Sequence, residues 1–171
     1  MKVILYMATS INGMITRNSD DSDWVSEVDW DEFNALKNQS KVIVMGSKTY
    51  EQFVDDFPQK GALNIVMTNN KELLSKNITG ALFTNKSPTE VVQMLEEKGF
   101  NQVMLVGGMT LNTPFLKEDL IDEIWIDIHP LLIGRGKTIF GETDIFKKAK
   151  LLETKTLKGG LILLKYSLTA K

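Results

Sequence analysis

The residues best suited to chemistry stand at three strand ends. Val44-Met45-Gly46-Ser47-Lys48-Thr49 sets a glycine, two hydroxyls and a cation on a strand-to-helix turn. Val106-Gly107-Gly108-Met109-Thr110 does the same with a glycine pair, and Thr68-Asn69-Asn70 brings short polar groups to a third end. Free backbone N–H groups at such turns suit the approach of a phosphate. In an open α/β sheet they gather at the carboxyl ends of the strands, where ligands bind. An extended dinucleotide diphosphate could lie across several of them, although one glycine after one strand signals only a turn.

A carboxylate cluster supplies the second chemical element. Ser26-Glu27-Val28-Asp29-Trp30-Asp31-Glu32-Phe33 leads into the first helix. Asp29 and Glu32 have capping-box spacing, so the plain expectation is that Asp29 caps and Glu32 folds back on it. Asp31 in the first turn suits the helix dipole. On a wheel of about 100° per residue, Trp30, Phe33 and Leu36 share a face, Asp29 projects within about 40° of its centre and Asp31 lies nearly opposite. A carboxylate aimed at an aromatic face is a candidate for holding or protonating a substrate. His129, before Pro130, reads as structural or surface. Arg17 and Arg135 read as solvated loop cations, and the acidic loop from Asp20 to Asp23 as a solvated connection. The tryptophans default to core except Trp24, which a polar loop leads into.

Alternating elements must position these groups. Val3–Ala8, Val42–Met45, Leu63–Met67, Gly80–Thr84 and Val103–Val106 read as strands. Asp29–Asn38, Ser47–Phe53, Pro88–Lys98 and Met109–Leu116 read as helices, the third opened by Ser87-Pro88 and stopped by Gly99. After about residue 116 the character changes: Ile124–Ile128 and Leu161–Leu168 are strand-like runs without a helical pattern between them. The alternation predicts a parallel sheet, and the tail predicts antiparallel strands added to its edge. The expected fold class is α/β, one domain over residues 1–171, with a mixed sheet flanked by helices.

Composition removes most other chemistries. The chain has 171 residues and a formal charge of −2, with one His and no Cys. That leaves no basic footprint for nucleic acid and no field to hold an anionic membrane. It also removes disulfides, thiolate zinc sites and iron–sulfur clusters, and no metal is expected. The apolar run at the start is shorter than the roughly 7–15 residues of a signal peptide. Nothing approaches the ~18 apolar residues of a membrane span. A soluble, cytoplasmic protein is expected. Gly136-Lys137-Thr138 fails as a P-loop because Leu131 stands where the first glycine belongs. Gly134-Arg135-Gly136 fails as a dinucleotide fingerprint because Ile139 stands where the third belongs.

Ala8-Thr9-Ser10-Ile11-Asn12-Gly13-Met14-Ile15, Val44 to Glu51 and Val106-Gly107-Gly108, in that order and spacing, resemble the dihydrofolate reductase superfamily. Trp24, Asp29 and Phe33 are similar to the tryptophan, acid and phenylalanine of dihydrofolate reductases themselves. Ser10 to Ile15, and Phe115 onward through Trp125 to Gly134, are closer to bacterial reductases that resemble the C-terminal domain of the bifunctional riboflavin-biosynthesis deaminase/reductase. The resemblance implies an eight-stranded mixed sheet and an NADPH-dependent reductase of a small-molecule substrate. It implies that Ala8 and Ile15 line the nicotinamide site and that Gly46, Ser47, Lys48 and Thr49 hold phosphates, with Thr68 and Asn69 beside the adenosine. Gly107, Gly108, Met109, Thr110 and Leu111 would hold the diphosphate from the other side, with a cis Gly–Gly bond. The family's usual arginine is Ser47 here, with the cation moved to Lys48, and its Asp-Gly pair is Asn12-Gly13.

Hydride transfer to a carbon–nitrogen double bond needs a proton on the nitrogen. Asp29 is the candidate to polarise the substrate, with Trp24 beside it as the second catalytic candidate. Three functions follow: a riboflavin-type reductase of a ribosylaminopyrimidine phosphate or related heterocycle, a stand-alone dihydrofolate reductase, or a dinucleotide-binding protein without catalysis. The resemblance also implies a homodimer, which the apolar C-terminal strands could form.

Overall fold

A computed structural model describes residues 1–18 and 20–168. The strands are β1 (Lys2–Ser10), β2 (Val42–Gly46), β3 (Leu63–Met67), β4 (Ala81–Thr84), β5 (Gln102–Leu105), β6 (Glu123–His129), β7 (Lys150–Thr156) and β8 (Ile162–Ser167). They form one eight-stranded sheet in the order β4-β3-β2-β5-β1-β6-β8-β7. From β4 to β6 every pairing is parallel, and β8 runs antiparallel to both β6 and β7. The α/β class and the mixed sheet are therefore as expected. The chain leaves β1 toward the β2 side and leaves β5 toward the β6 side, which opens a crevice at the carboxyl ends of β1, β2 and β5.

Helices α1 (Glu27–Ser40), α2 (Ser47–Gln52), α3 (Lys71–Leu74), α4 (Pro88–Glu97) and α5 (Met109–Lys117) cover the two faces. The period-2 alternation of β1 divides its side chains between them. Val3, Leu5 and Met7 pack in the cluster that includes Val91 and Leu95 of α4 and Leu111 and Phe115 of α5. Ile4 and Tyr6 pack on the opposite face with Leu36 of α1. The Ser87 cap forms in full, its side chain accepting from Glu90 N–H while the Glu90 carboxylate reaches back to Ser87. Gly99, at φ +83°, lets the chain turn out of α4.

Three local expectations are corrected. Helix α1 starts at Glu27 with Ser26 as its N-cap, so Asp29 lies inside the first turn and no Asp29–Glu32 capping box exists. Glu32 instead forms an ion pair with Lys155 of β7. Asn70 begins the short helix α3, its side chain accepting from Glu72 N–H at 2.9 Å. Strand β7 was not foreseen: every residue in it is exposed, so no buried alternation marks it.

Candidate functional site

The crevice holds one cleft with two lobes of about 340 Å³ each, and Ile15, Thr16, Thr49, Gln52 and Gly108 line both. The outer lobe is polar at its rim. Gly46, Ser47 and Lys48 reach it from the end of β2, and Thr68 and Asn69 from the end of β3. Met109, Thr110 and Leu111 close it from α5, and Lys86 and Lys137 add two further cations. Gly107 lies beneath, its carbonyl accepting from Gly46 N–H at 2.8 Å, which ties the two glycine turns together. Its φ is +85°, and a Cβ there would stand 2.9 Å from Met7 Sδ, so only glycine fits. The Gly107–Gly108 peptide is cis.

The inner lobe is aromatic. Tyr6, Trp30, Phe33, Phe53 and Phe57 form its wall, with Ala8 at the side and Asp29 at the base. Among the described residues no Lys or Arg lines it. The helical wheel holds: Asp29 points inward at 6% exposure, whereas Asp31 is exposed. Tyr6 Oη donates to Asp29 Oδ1 at 2.6 Å. Burial pushes the Asp29 carboxyl above its usual range, opposed by that hydrogen bond and by Asp127. Burial, then the Asp29 charge, pushes the Tyr6 phenol far up, so it remains a donor.

Trp24 is not brought to the cleft wall with Asp29. It packs edge-on against His129, ring centroids 5.2 Å apart, and its buried Nε1 has no hydrogen-bond partner among the described residues. His129 is buried rather than on the surface, and its Nε2 accepts the Ser26 backbone N–H at 3.1 Å. It thereby fixes the start of α1 at Ser26, three residues before Asp29.

A family model described as the RibD C-terminal domain matches residues 1–163. The chain belongs to that family. It is similar to the uncharacterized protein YyaP of Bacillus subtilis (strain 168), 27% identical over 177 residues, with 96% of this chain and 94% of that protein covered. Among solved structures it is similar to a protein from Shewanella sp. PV-4, named as a candidate riboflavin biosynthesis protein, at a TM-score of 0.82 and 25% identity, covering 99% of both chains. A Thermotoga maritima diaminohydroxyphosphoribosylaminopyrimidine deaminase/5-amino-6-(5-phosphoribosylamino)uracil reductase shares the fold at a TM-score of 0.76 and 16% identity. The match covers 98% of this chain and 56% of that one.

Within this RibD C-terminal domain, the acidic loop departs from expectation. It is not simply solvated: Asp20 pairs with both Lys48 (2.9 Å) and Lys137 across the outer lobe. Arg17 pairs with Asp21 and Asp23, each at 2.8 Å. The two lysine bonds hold the Asp20 carboxyl below its usual range, and the same contact raises Lys48. Two residues packed against Asp29 are not marked by the sequence reading, Tyr6 and Asp127. The signal for Asp127 lies in β6, where Glu123, Trp125, Asp127 and His129 alternate with Ile124, Ile126 and Ile128. Buried Asp127 and His129 on one face of a strand are the mark that apolar packing alone does not explain.

The donor set of the outer lobe fits a phosphate-bearing dinucleotide. Ser47, Thr49, Thr68 and Thr110 line it with hydroxyl-bearing residues, Lys48, Lys86 and Lys137 would face the phosphates, and Gly108 leaves open space where a Cβ would stand.

Proposed function

We propose that this RibD C-terminal domain protein is a reductase that uses NADPH to reduce a carbon–nitrogen double bond in a small heterocycle. One observation carries the reading: a lobe rich in hydroxyls and cations opens directly into an aromatic lobe with one buried carboxylate, Asp29. The dinucleotide, when bound, supplies the hydride. Ser47, Lys48, Thr49 and Thr110 would hold its phosphates, Thr68 and Asn69 its adenosine side, and Ala8 and Ile15 would flank the nicotinamide. The aromatic wall would stack the substrate ring and exclude water. Asp29 would bind and polarise the ring nitrogen.

The riboflavin-type substrate, a ribosylaminopyrimidine phosphate, rests on family membership. A second reading, reduction of dihydrofolate or a similar flat heterocycle without phosphate, is favoured by the inner lobe's lack of a lining cation among the described residues. Loss of reduced-nicotinamide absorbance with each of three substrates decides between them: the pyrimidine phosphate, its dephosphorylated form and dihydrofolate. Tight NADPH binding with no oxidation on any of the three would instead identify a binding protein.

Two copies of the chain would associate through β7 and β8. Leu151, Leu152 and Ile162 are exposed there at 51%, 47% and 39%, apolar side chains left bare on the edge strand and its neighbour.

A further inference from the structure

Asp127 occupies the middle of β6, opposite Ala8 of β1 on one side and Leu163 of β8 on the other. Its side chain is completely buried on the α1 face of the sheet. Among the described residues neither of its oxygens is served by an amide, hydroxyl or ammonium donor, and the side chain that meets it is the Asp29 carboxyl. The groups that act on it are all acidic: Asp29 and Glu32 from α1, with Tyr6 from β1 bonded to Asp29 and His129 further along its own strand. Lys155 of β7 neutralises Glu32 but does not pair with Asp127.

A donorless carboxylate buried against a second carboxylate is a costly arrangement, since like charges at short range cannot both persist. One proton held between the two relieves it. Tyr6 already satisfies one oxygen of Asp29 as a donor, so Asp29 is the member suited to carry the charge. Asp127, which no donor serves, is the member suited to carry the proton. Only Asp29 faces the cleft.

We propose that Asp127 is a positioning residue that stores a proton behind Asp29, and that the two carboxyls deliver it to the substrate as a pair. The inference rests on the reductase reading above. In the reaction the substrate carbon gains the hydride and its two electrons from the reduced dinucleotide. The single proton of Asp127 passes to Asp29 and from Asp29 to the substrate nitrogen. The carbon–nitrogen double bond becomes a single bond, and the pair is left with one proton fewer. When product leaves, Asp29 meets solvent and water restores that proton by the same route. Burial and the Asp29 charge hold Asp127 at about 7, which poises the pair near neutrality.

The test has two arms. Infrared difference spectra of the ligand-free protein, titrated from about pH 5 to about pH 9, read the protonated carboxyl stretch directly. A band that vanishes near neutrality in the wild type and is missing in Asp127→Asn is expected. Absence of any such band in the wild type overturns the shared proton, whether or not the protein turns over. In the second arm, kcat/KM of the wild type falls above about pH 7, and in Asp127→Asn that limb moves down by a unit or more, with at least a tenfold loss at pH 7. A uniform loss with the limb unmoved assigns Asp127 a merely structural role and overturns the proposal. Failure of the wild type to reduce any substrate ends the reductase reading instead, and the infrared arm then decides the shared proton alone.

Discussion

Replacing Asp127 by Asn should make the protein more stable in mild alkali, not less. In the unfolded chain this carboxyl has its ordinary value of 3.8, and in the folded protein it stands at about 7, raised by burial first and Asp29 second. The folded state therefore binds the proton more tightly. Stability is complete below about pH 4, declines as pH rises toward 7, and levels off above it. The rise is about three units, and at about 1.4 kcal/mol per unit the folded state loses about 4 kcal/mol across that window. The proton is shared with Asp29, so about 2–4 kcal/mol is the useful range. Asn has the same shape, carries no charge and can donate toward Asp29, so the variant lacks this slope. For a chain of this size, each kcal/mol moves Tm by about 2–4 °C. At pH 8 the variant should melt about 4–15 °C above the wild type, and at pH 4.5 the two should differ by about 3 °C or less. Circular-dichroism melts at half-unit intervals test this. Parallel curves for the two proteins would refute the reasoning, because they would mean that Asp127 ionises in the folded protein as easily as in the unfolded chain.

Asp29→Asn should lower kcat/KM by about 100-fold or more, while the exposed Asp31→Asn should change it less than about threefold, as initial rates will show. Gly107→Ala, with its Cβ driven toward Met7 Sδ at a left-handed φ, should cost about 1–3 kcal/mol in denaturant melts and weaken NADPH binding in fluorescence titration. Asp20→Asn should tighten NADPH binding several-fold, because Lys48 and Lys137 no longer spend their charge on it; unchanged affinity at low salt counts against their place at the phosphates. Leu151→Glu on exposed β7 should shift light scattering from dimer to monomer without loss of melting temperature.

Sequence and structure agree where the pattern is strong. The buried parallel strands β2, β3 and β5 are short apolar runs ended by Gly or Thr-Asn, and each was recognisable from those residues alone. The glycine turns were equally visible, because a glycine followed by hydroxyls marks a strand end that a ligand can approach. Asp29 is legible from its angle on the helix, whereas the helix itself begins at Glu27, two residues before the expected start. The signal there is Ser26, whose backbone N–H is fixed by His129 from β6, a contact 103 residues away that no local pattern contains. Asp127 is hidden for a similar reason: the isoleucines that mark its strand lie on the face turned away from the site. Strand β7 reads as a loop, since its stability comes from pairing with β8 and not from burial.

The inner edge of the cleft is sewn by residues distant in the chain. Ile15 N–H donates to the Lys137 carbonyl at 2.7 Å, Lys137 N–H to Thr16 Oγ1 at 3.0 Å and Asn18 N–H to the Arg135 carbonyl at 2.8 Å. Met14 bridges Thr138, and a Cβ on Gly136 would overlap the Thr16 carbonyl. During synthesis on the ribosome, the first forty residues emerge long before this clasp exists. The edge of the cleft therefore takes shape only in a chain that has been translated past residue 138.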